Sequence, residues 1–323
     1  MEPKAGGNPK VSAAFFCPQT KRADEGYLDM LYRFLKQNKY GTRLLSEVAA
    51  LADDDLWNVF AWVNDNIRGM SHGPRVLTTL QDWAVNGRSG PLSTTQSNIT
   101  SLPLLSVLQI GQYLRYLDVH GLSHWDFVSD IREGGGGVHG YCGGLPAAIC
   151  ISCARSEDEL VEYMGAALRI LVGIGAYTEA TDENSGAENT LLAIRLKNEG
   201  QGEELTGRFP GTYISAITGP RSISIGGPAA ALRAFADYVT EHEGVRVQEI
   251  HLGGSAHNPA NAHLAAELCR ICNDAPQGLQ LLMHRNCFCL FGQTKAGRES
   301  RMGCWPTISS GPCWRRAASG YSC

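Results

Sequence analysis

The chain has 323 residues, of which 43% are hydrophobic and 19% are charged. This composition is that of an ordinary globular protein, long enough for one large domain or two modest ones. A net charge of −4, without any stripe of basic residues, excludes an electrostatic nucleic-acid binder. No apolar run approaches the length of a membrane span, and residues 1–7 hold no hydrophobic signal segment, so we expect a cytoplasmic protein.

The eleven cysteines predict reduced thiols, because a disulfide scaffold is typical of short secreted chains and needs an even number. Two Cys-x-x-Cys pairs occur, Cys150 with Cys153 and Cys269 with Cys272. A zinc site would need knuckle-like turns at these pairs, whereas each pair lies in an apolar pattern of helical period. We therefore interpret the four cysteines as core thiols and expect no bound metal.

In chain order, the first part of the sequence predicts one short strand followed by helices. Residues 11–16 form an apolar run that predicts a buried strand. Apolar residues at helical intervals then predict helices around 28–35, 56–63 and 102–117. The segment 87–98 is rich in Ser, Thr and Gly, which is typical of a surface loop.

The most informative local pattern is the pentapeptide 140–144, Gly-Tyr-Cys-Gly-Gly, with an apolar run after it. Glycines around one thiol predict a sharp strand-to-helix turn that exposes a nucleophile, and Pro146 suits the first turn of the following helix. The helix N-terminus favours a thiolate, so Cys142 is the candidate nucleophile of acyl transfer through a thioester. The alternative is a buried free cysteine that acts as a small hydrophobic residue.

After a strongly apolar helix at 160–174 and a polar connection at 180–190, the pattern changes to alternating strands and helices. The predicted order is β-α-β-β-α-β, which is that of a ferredoxin-like unit. Its strands are predicted at 191–196, 213–217, 222–225 and 245–250, and its helices at 202–209 and 228–240.

Cys142 needs a general base, because a free thiol is only a few per cent ionised near neutral pH, and His257, which follows this unit, is one of four candidate histidines. The alternative role for His257 is a loop histidine that caps the next helix. His251 falls at the end of a strand, His263 one turn into a helix, and His139 just before the cysteine turn. We expect those three histidines to serve packing or solvation.

Taken together, these motifs resemble the starter-unit acyl-carrier-protein transacylase domain of fungal non-reducing polyketide synthases. The likeness covers roughly residues 11–280, and its Gly-x-Cys-x-Gly motif replaces the Gly-x-Ser-x-Gly motif of malonyl transferases. The matching segments are 16–20, 140–144, 168–177, 214–216, 222–228 and 257–262.

The resemblance implies an α/β fold with a large acyltransferase subdomain of the α/β-hydrolase type and an inserted ferredoxin-like subdomain. It also implies that His257 is the catalytic base for Cys142, and that the backbones of Gln19 and Gly143 make an oxyanion hole. Arg169 lies where malonyl-specific relatives hold a carboxylate, but we expect a structural role there and no dicarboxylate substrate. No permanent cofactor is implied, only coenzyme A or the phosphopantetheine of a partner acyl carrier protein.

We accordingly expect a large subdomain at 11–180, the insertion at 190–252 and a return to the large subdomain at 253–284. The tail 285–323 is rich in Cys and holds only two residues among Leu, Ile and Val, so we expect it to be poorly ordered. A reading-frame or splice change would explain that tail.

Without a carrier domain in the sequence, we expect the chain to act in trans on a carrier protein or polyketide synthase. The alternatives are a non-catalytic carrier-binding remnant and a cysteine hydrolase.

Overall fold

The computed structural model describes residues 11–17, 23–52, 75–93, 97–180, 190–251, 257–274 and 290–293. The helix predicted at 56–63, the connection after residue 180 and the candidate oxyanion residue Gln19 lie outside these residues.

The larger part of the fold contains a parallel three-stranded sheet in the order β1-β2-β7. Its strands are β1 (Ala14–Phe16), β2 (Gly137–Gly140) and β7 (Leu290–Gln293). Val138 of the central strand is fully buried and pairs with Ala14 on one side and Phe291 on the other. The predicted first strand is confirmed, although it is shorter than the run 11–16 and is not buried, since Phe15 is exposed and its two neighbours are half-buried. Because β2 lies between two strands, the position of its last residue, Gly140, is fixed from both sides.

Helices surround this sheet, and the helices predicted at 28–35, 102–117 and 160–174 are all confirmed. The helices before the second sheet are α1 (Glu25–Gln37), α2 (Lys39–Ala50), α3 (Arg75–Asn86), α4 (Gly90–Ser93), α5 (Asn98–His120), α6 (His124–Glu133), α7 (Leu145–Cys153) and α8 (Glu157–Ala180).

Helix α1 shows how local sequence determines these elements. The Asp24 side chain caps the helix by accepting a hydrogen bond from the backbone N–H of Tyr27 at 2.8 Å. Leu28, Leu31 and Leu35 then recur on one face, and all three are buried in the core. Each buried leucine stabilises the fold by about 1.5–3 kcal/mol relative to an exposed one, which fixes the face that α1 turns inward.

Helices α5 and α8 are the long elements at the centre of the larger core, and they pack against each other. By length and composition alone, α8 could cross a membrane, but 83% of its apolar window is buried inside the protein. A helix that is apolar all round and covered by its neighbours is a core helix.

A buried histidine connects α5, α6 and the end of α7. His124 Nε2 lies 2.9 Å from the carbonyl oxygen of Ala154, and His124 Nδ1 lies 2.8 Å from the hydroxyl of Tyr113. Since a carbonyl can only accept, Nε2 donates and Nδ1 accepts from the tyrosine. Burial lowers the pKa of His124, so the neutral ring that this pattern requires is also the favoured one.

The second sheet is antiparallel, with strand order β4-β5-β3-β6 and a small core of its own. Its elements are β3 (Thr190–Arg195), α9 (Gln201–Arg208), β4 (Tyr213–Gly219), β5 (Ser222–Gly226), α10 (Ala229–Glu241) and β6 (Val247–His251). Leu205 of α9 and Phe235 of α10 are buried against Leu192 and Ile225 of the sheet. Both helices therefore share one core with the sheet, and the six predicted elements are confirmed.

One prediction about an irregular segment is wrong. The segment 87–98 is not simply a surface loop: α4 lies within it, and Leu92 is buried because it inserts into the larger core. Of the tail 285–323, the structure describes residues 290–293, which form β7 and pair with β2. Pairing of this kind uses backbone groups and needs no aliphatic side chain. The expected poor order of the tail stays a prediction for its other residues.

Candidate active site

The candidate nucleophile lies on a strained turn between a strand and a helix. Strand β2 ends at Gly140, a 3₁₀ turn spans Cys142–Gly144, and α7 begins at Leu145. Cys142 has φ = +50°, a left-handed conformation that residues with a Cβ rarely adopt. Such strain is typical of functional turns that present one side chain, and here the side chain is the thiol.

The glycines of the turn allow backbones to approach closely. A Cβ on Gly140 would lie 2.6 Å from the Cα of Leu145, and a Cβ on Gly144 would overlap the carbonyl of Phe16. That same carbonyl accepts a 3.0 Å hydrogen bond from the N–H of Tyr141. The turn is therefore packed directly against β1 and the first turn of α7.

We expect Gly144→Ala to destabilise the protein by about 1–3 kcal/mol, because the new methyl group would overlap backbone atoms of Phe16. Urea unfolding measures the effect. Gly207→Ala in α9 is the matched control, since no atom lies within 4 Å of its Cβ position and alanine is the better helix former. Equal midpoints for Gly144→Ala and the parent protein would show that the turn is loosely packed.

The chain returns to the turn after β6 and places His257 beside the thiol. The Sγ atom of Cys142 lies 2.8 Å from Nε2 of His257, across 115 residues of sequence. His257 also has a positive φ of 59°, and the next residue, Asn258, accepts a hydrogen bond from the N–H of Ala260. This bond caps the 3₁₀ turn Pro259–Asn261, which leads into α11 (Ala262–Asp274). His257 is exposed and Cys142 is half-buried, so a substrate can reach the pair.

The interaction between the two side chains shifts the pKa of each toward its charged form. Burial raises the pKa of Cys142, but the hydrogen bond and charge of His257, with the backbone N–H of Gly143, outweigh it and lower that pKa overall. The hydrogen bond to Cys142 and its charge raise the pKa of His257. The arrangement favours a thiolate beside an imidazolium, which is the reactive form of a cysteine nucleophile.

We expect alkylation by iodoacetamide to label Cys142 with a midpoint pH below the ordinary thiol pKa of about 8.5. Thiolate is the reacting species, and the lowered pKa populates it at lower pH. Cys150 is the internal control, because burial raises its pKa to about 12. Peptide mapping by mass spectrometry measures both sites. A midpoint at Cys142 at or above that of a free cysteine would contradict this reading of its environment.

Of the two candidate oxyanion donors, only Gly143 can be placed. Its backbone N–H is one of the groups that lower the pKa of the adjacent Cys142 thiol. Gln19 lies outside the described residues, but the preceding strand end is fixed, because Gln109 Nε2 donates to the carbonyl of Cys17 at 2.8 Å. Sequence reasoning missed Gln109, although an amide on the buried face of an apolar helix was a visible signal.

Arg169, His139 and His263, the other polar candidates whose side chains are described, have partners other than the thiol. Arg169 Nη1 donates hydrogen bonds to Glu47 at 2.9 Å and to the carbonyl of Gly165, so its charge is paired with a carboxylate of helix α2. His139 stacks on Phe15 of the neighbouring strand, and His263 Nδ1 lies 2.9 Å from the carbonyl of Ala260. The side chain of His251 is not described.

The Cys-x-x-Cys pairs lie on α7 and α11, as their helical pattern predicts. Cys150 belongs to the larger core, and burial raises the pKa of Cys272 to about 11. A thiol with a raised pKa resists the deprotonation that zinc binding requires. Within the described residues, no group of three or more His, Cys, Asp or Glu side chains could hold a metal ion.

The fold is shared with acyltransferases of known structure. An acyl-carrier-protein S-malonyltransferase from Bartonella henselae matches 96% of this chain and 79% of its own, with a TM-score of 0.56 and 14% identity. The acyltransferase domain from the second module of the salinomycin polyketide synthase matches 83% of this chain and 50% of its own, with a TM-score of 0.52 and 17% identity. The chain therefore has the fold of these acyltransferases, and the turn at Cys142 is part of it.

The family follows from sequence comparison. Residues 71–257 match the family model described as starter unit:ACP transacylase in aflatoxin biosynthesis. The chain belongs to this transacylase family, whose members serve polyketide biosynthesis, and the resemblance read from its motifs is confirmed.

Its curated relatives are much longer than the chain itself. The non-reducing polyketide synthase Preu6 of Preussia isomera is 41% identical over 84% of this chain, and the synthase atr1 of Stereocaulon alpinum is 41% identical over 81%. The chain spans only 12% and 10% of the lengths of these two synthases.

Proposed function

We propose that this chain moves a starter acyl group from a thioester donor to an acyl carrier protein through a thioester on Cys142. The observation that carries the proposal is the 2.8 Å contact between the Cys142 sulfur and His257 at a strained strand-to-helix turn. Donor, intermediate and product are all thioesters, so each step exchanges one C–S bond for another and needs no external energy source.

In the first step, the Cys142 thiolate attacks the acyl carbonyl carbon, and the C–S bond to coenzyme A or an upstream carrier breaks. The leaving thiolate takes the proton that His257 holds. In the second step, the phosphopantetheine thiol of the carrier gives its proton to His257 and attacks the acyl-cysteine. The Cys142 thiolate leaves, and the pair returns to its starting state.

The tetrahedral intermediate of each step carries a negative oxygen that needs two N–H donors. Gly143, next after the nucleophile, is one donor, supported by the contribution of its N–H to the lowered pKa of Cys142. We assign the second to the backbone of Gln19, by analogy with the family. Exclusion of water from the acyl-cysteine then decides between transfer and hydrolysis.

We further infer that residues 190–252 form a ferredoxin-like insertion within a larger acyltransferase subdomain. Support comes from the strand order β4-β5-β3-β6 and from the two helices that share its core. Residues after the smaller unit also pack back into the larger core, where Leu264 and Ile271 of α11 are buried. This topology brings His257 back to the turn that precedes the insertion.

The test incubates the protein with an acyl-CoA, then with a phosphopantetheinylated carrier protein, and follows both by intact mass. We expect an acyl adduct on the chain that moves to the carrier supplied in trans. Carrier binding without an adduct would instead indicate a non-catalytic binding module. Release of the free acid as the main product would indicate a hydrolase.

A further inference from the structure

Helix α5 carries a buried glutamine that bonds to the end of strand β1. Gln109 is only 6% exposed, and Val107 and Ile110 near it on the helix are fully buried. Its Nε2 donates a 2.8 Å hydrogen bond to the backbone carbonyl of Cys17, the residue that follows β1. Because a carbonyl can only accept, this contact fixes which end of the amide faces the strand.

The other end of the amide is an acceptor without a partner in the part of the chain that the structure describes. Oε1 of Gln109 is buried there and forms no hydrogen bond. An unpaired buried acceptor destabilises a fold, and a leucine at this position of an apolar helix would avoid that cost. Stability alone therefore does not explain the glutamine, whereas a bond to the Cys17 carbonyl requires an N–H donor.

The same face of α5 also contacts the nucleophile turn. Leu105 precedes Gln109 by four residues, so the two side chains lie on one face of the helix, one turn apart. Cδ2 of Leu105 would lie 2.6 Å from a Cβ on Gly143, so this leucine packs directly against the residue after the nucleophile. Leu105 thus fixes the distance of α5 from Gly143, and Gln109 fixes its distance from Cys17.

These two contacts lie on either side of the proposed oxyanion site. Gly143 is one proposed donor, and the second is assigned to Gln19, two residues after Cys17 in the sequence. The strand end is also tied to the turn, because the N–H of Tyr141 donates a 3.0 Å hydrogen bond to the carbonyl of Phe16. Successive carbonyls at the end of β1 thus accept one bond from the turn and one from α5.

We infer that Gln109 is a positioning residue for acylation, which acts through the Cys17 carbonyl to set the separation between the end of β1 and Gly143. This separation determines how well a tetrahedral oxyanion is bound. The effect belongs to the transition state, since the negative oxygen forms only when the sulfur attacks the acyl carbonyl. The inference rests on the proposed acyl transfer at Cys142.

The test compares two reactions of Cys142 in the variant Gln109→Met, which keeps the length of the side chain and removes the donor. Acylation by an acyl-CoA forms an oxyanion, whereas alkylation by iodoacetamide displaces iodide at a saturated carbon and forms none. We expect the acylation rate at saturating acyl-CoA to fall about 10–100-fold, as a misplacement of about 1 Å produces. The rate and midpoint pH of alkylation should equal those of the parent protein. Intact mass measures both reactions.

Gln112→Met is the matched control. Gln112 lies three residues further along the same helix, is exposed, and donates its amide N–H to the hydroxyl of Tyr27. Its amide therefore holds a different element, and we expect this variant to keep the parent rates of both acylation and alkylation.

Unchanged acylation in Gln109→Met would overturn the inference. Equal losses in acylation and alkylation would also overturn it, because Gln109 would then support the whole turn. Where this variant does not fold, Gln109→Asn decides, since its amide is one methylene too short to reach Cys17. We expect the same selective loss of acylation, and an unchanged ratio of the two rates overturns the inference. Failure of the proposed function is distinct, because the parent protein would then form no acyl adduct.

Discussion

Cys142→Ala is expected to form no acyl adduct with any acyl-CoA and to transfer acyl groups roughly 10⁴–10⁶-fold more slowly than the parent protein. The reason is that the only thiol held within 2.8 Å of a histidine among the described residues is lost. Neither His257 nor the Gly143 N–H can substitute, because both act on the bond that the sulfur forms. Intact mass after incubation with acyl-CoA measures the adduct, and transfer to a carrier protein measures the rate.

The matched control is Cys269→Ala on α11, which removes a half-buried cysteine outside the nucleophile turn. We expect this variant to keep both the adduct and the rate. Similar unfolding midpoints of the two variants would show that the loss in Cys142→Ala is chemical. An adduct that persists in Cys142→Ala and disappears in Cys269→Ala would show that the nucleophile is Cys269 and would contradict the proposal.

Patterns within one element predicted most of the secondary structure. Leucines at helical spacing identified α1, because burial of one face is what stabilises a helix of that length. Alternation of Ile with Ser identified β5, since a half-buried strand turns every second side chain inward. These signals are local, so one sequence was sufficient to read them.

Features that depend on distant partners were harder to predict. The four-residue strand β7 owes its place to the backbone of β2, and its own side chains give little sign of it. Helix α4 was hidden in a polar segment, where the inward position of Leu92 depends on the neighbouring core. In both cases the decisive interaction lies far away in the sequence.

Local sequence likewise predicted one part of the candidate site and not the other. The glycines around Cys142 predicted its turn, because close backbone approach leaves a direct mark on residue choice. The contact with His257 could be proposed only through the resemblance, since nothing local distinguishes that histidine from His263. The positive φ of His257 and the Asn258 cap that follows it became visible only in the fold.

His257→Ala is expected to lower the rate of acyl transfer by about 10²–10⁴-fold, the usual contribution of a positioned acid–base group. Its removal deletes the hydrogen bond and the charge that lower the pKa of Cys142, whereas burial, which raises that pKa, remains. The thiol of the variant should therefore ionise at higher pH than in the parent protein. Raising the pH should restore part of the rate, because hydroxide then supplies the deprotonation that the imidazole no longer provides.

His263→Ala is the matched control, because this exposed histidine lies six residues further along the chain and its Nδ1 lies near the carbonyl of Ala260. Its pH–rate profile and its alkylation midpoint at Cys142 should match those of the parent protein. A purely structural role for His257 predicts a different outcome: the rate would fall at every pH by the same factor, and the alkylation midpoint of Cys142 would stay where it is. The shift of that midpoint toward higher pH in His257→Ala alone is thus the result that distinguishes a base from a support.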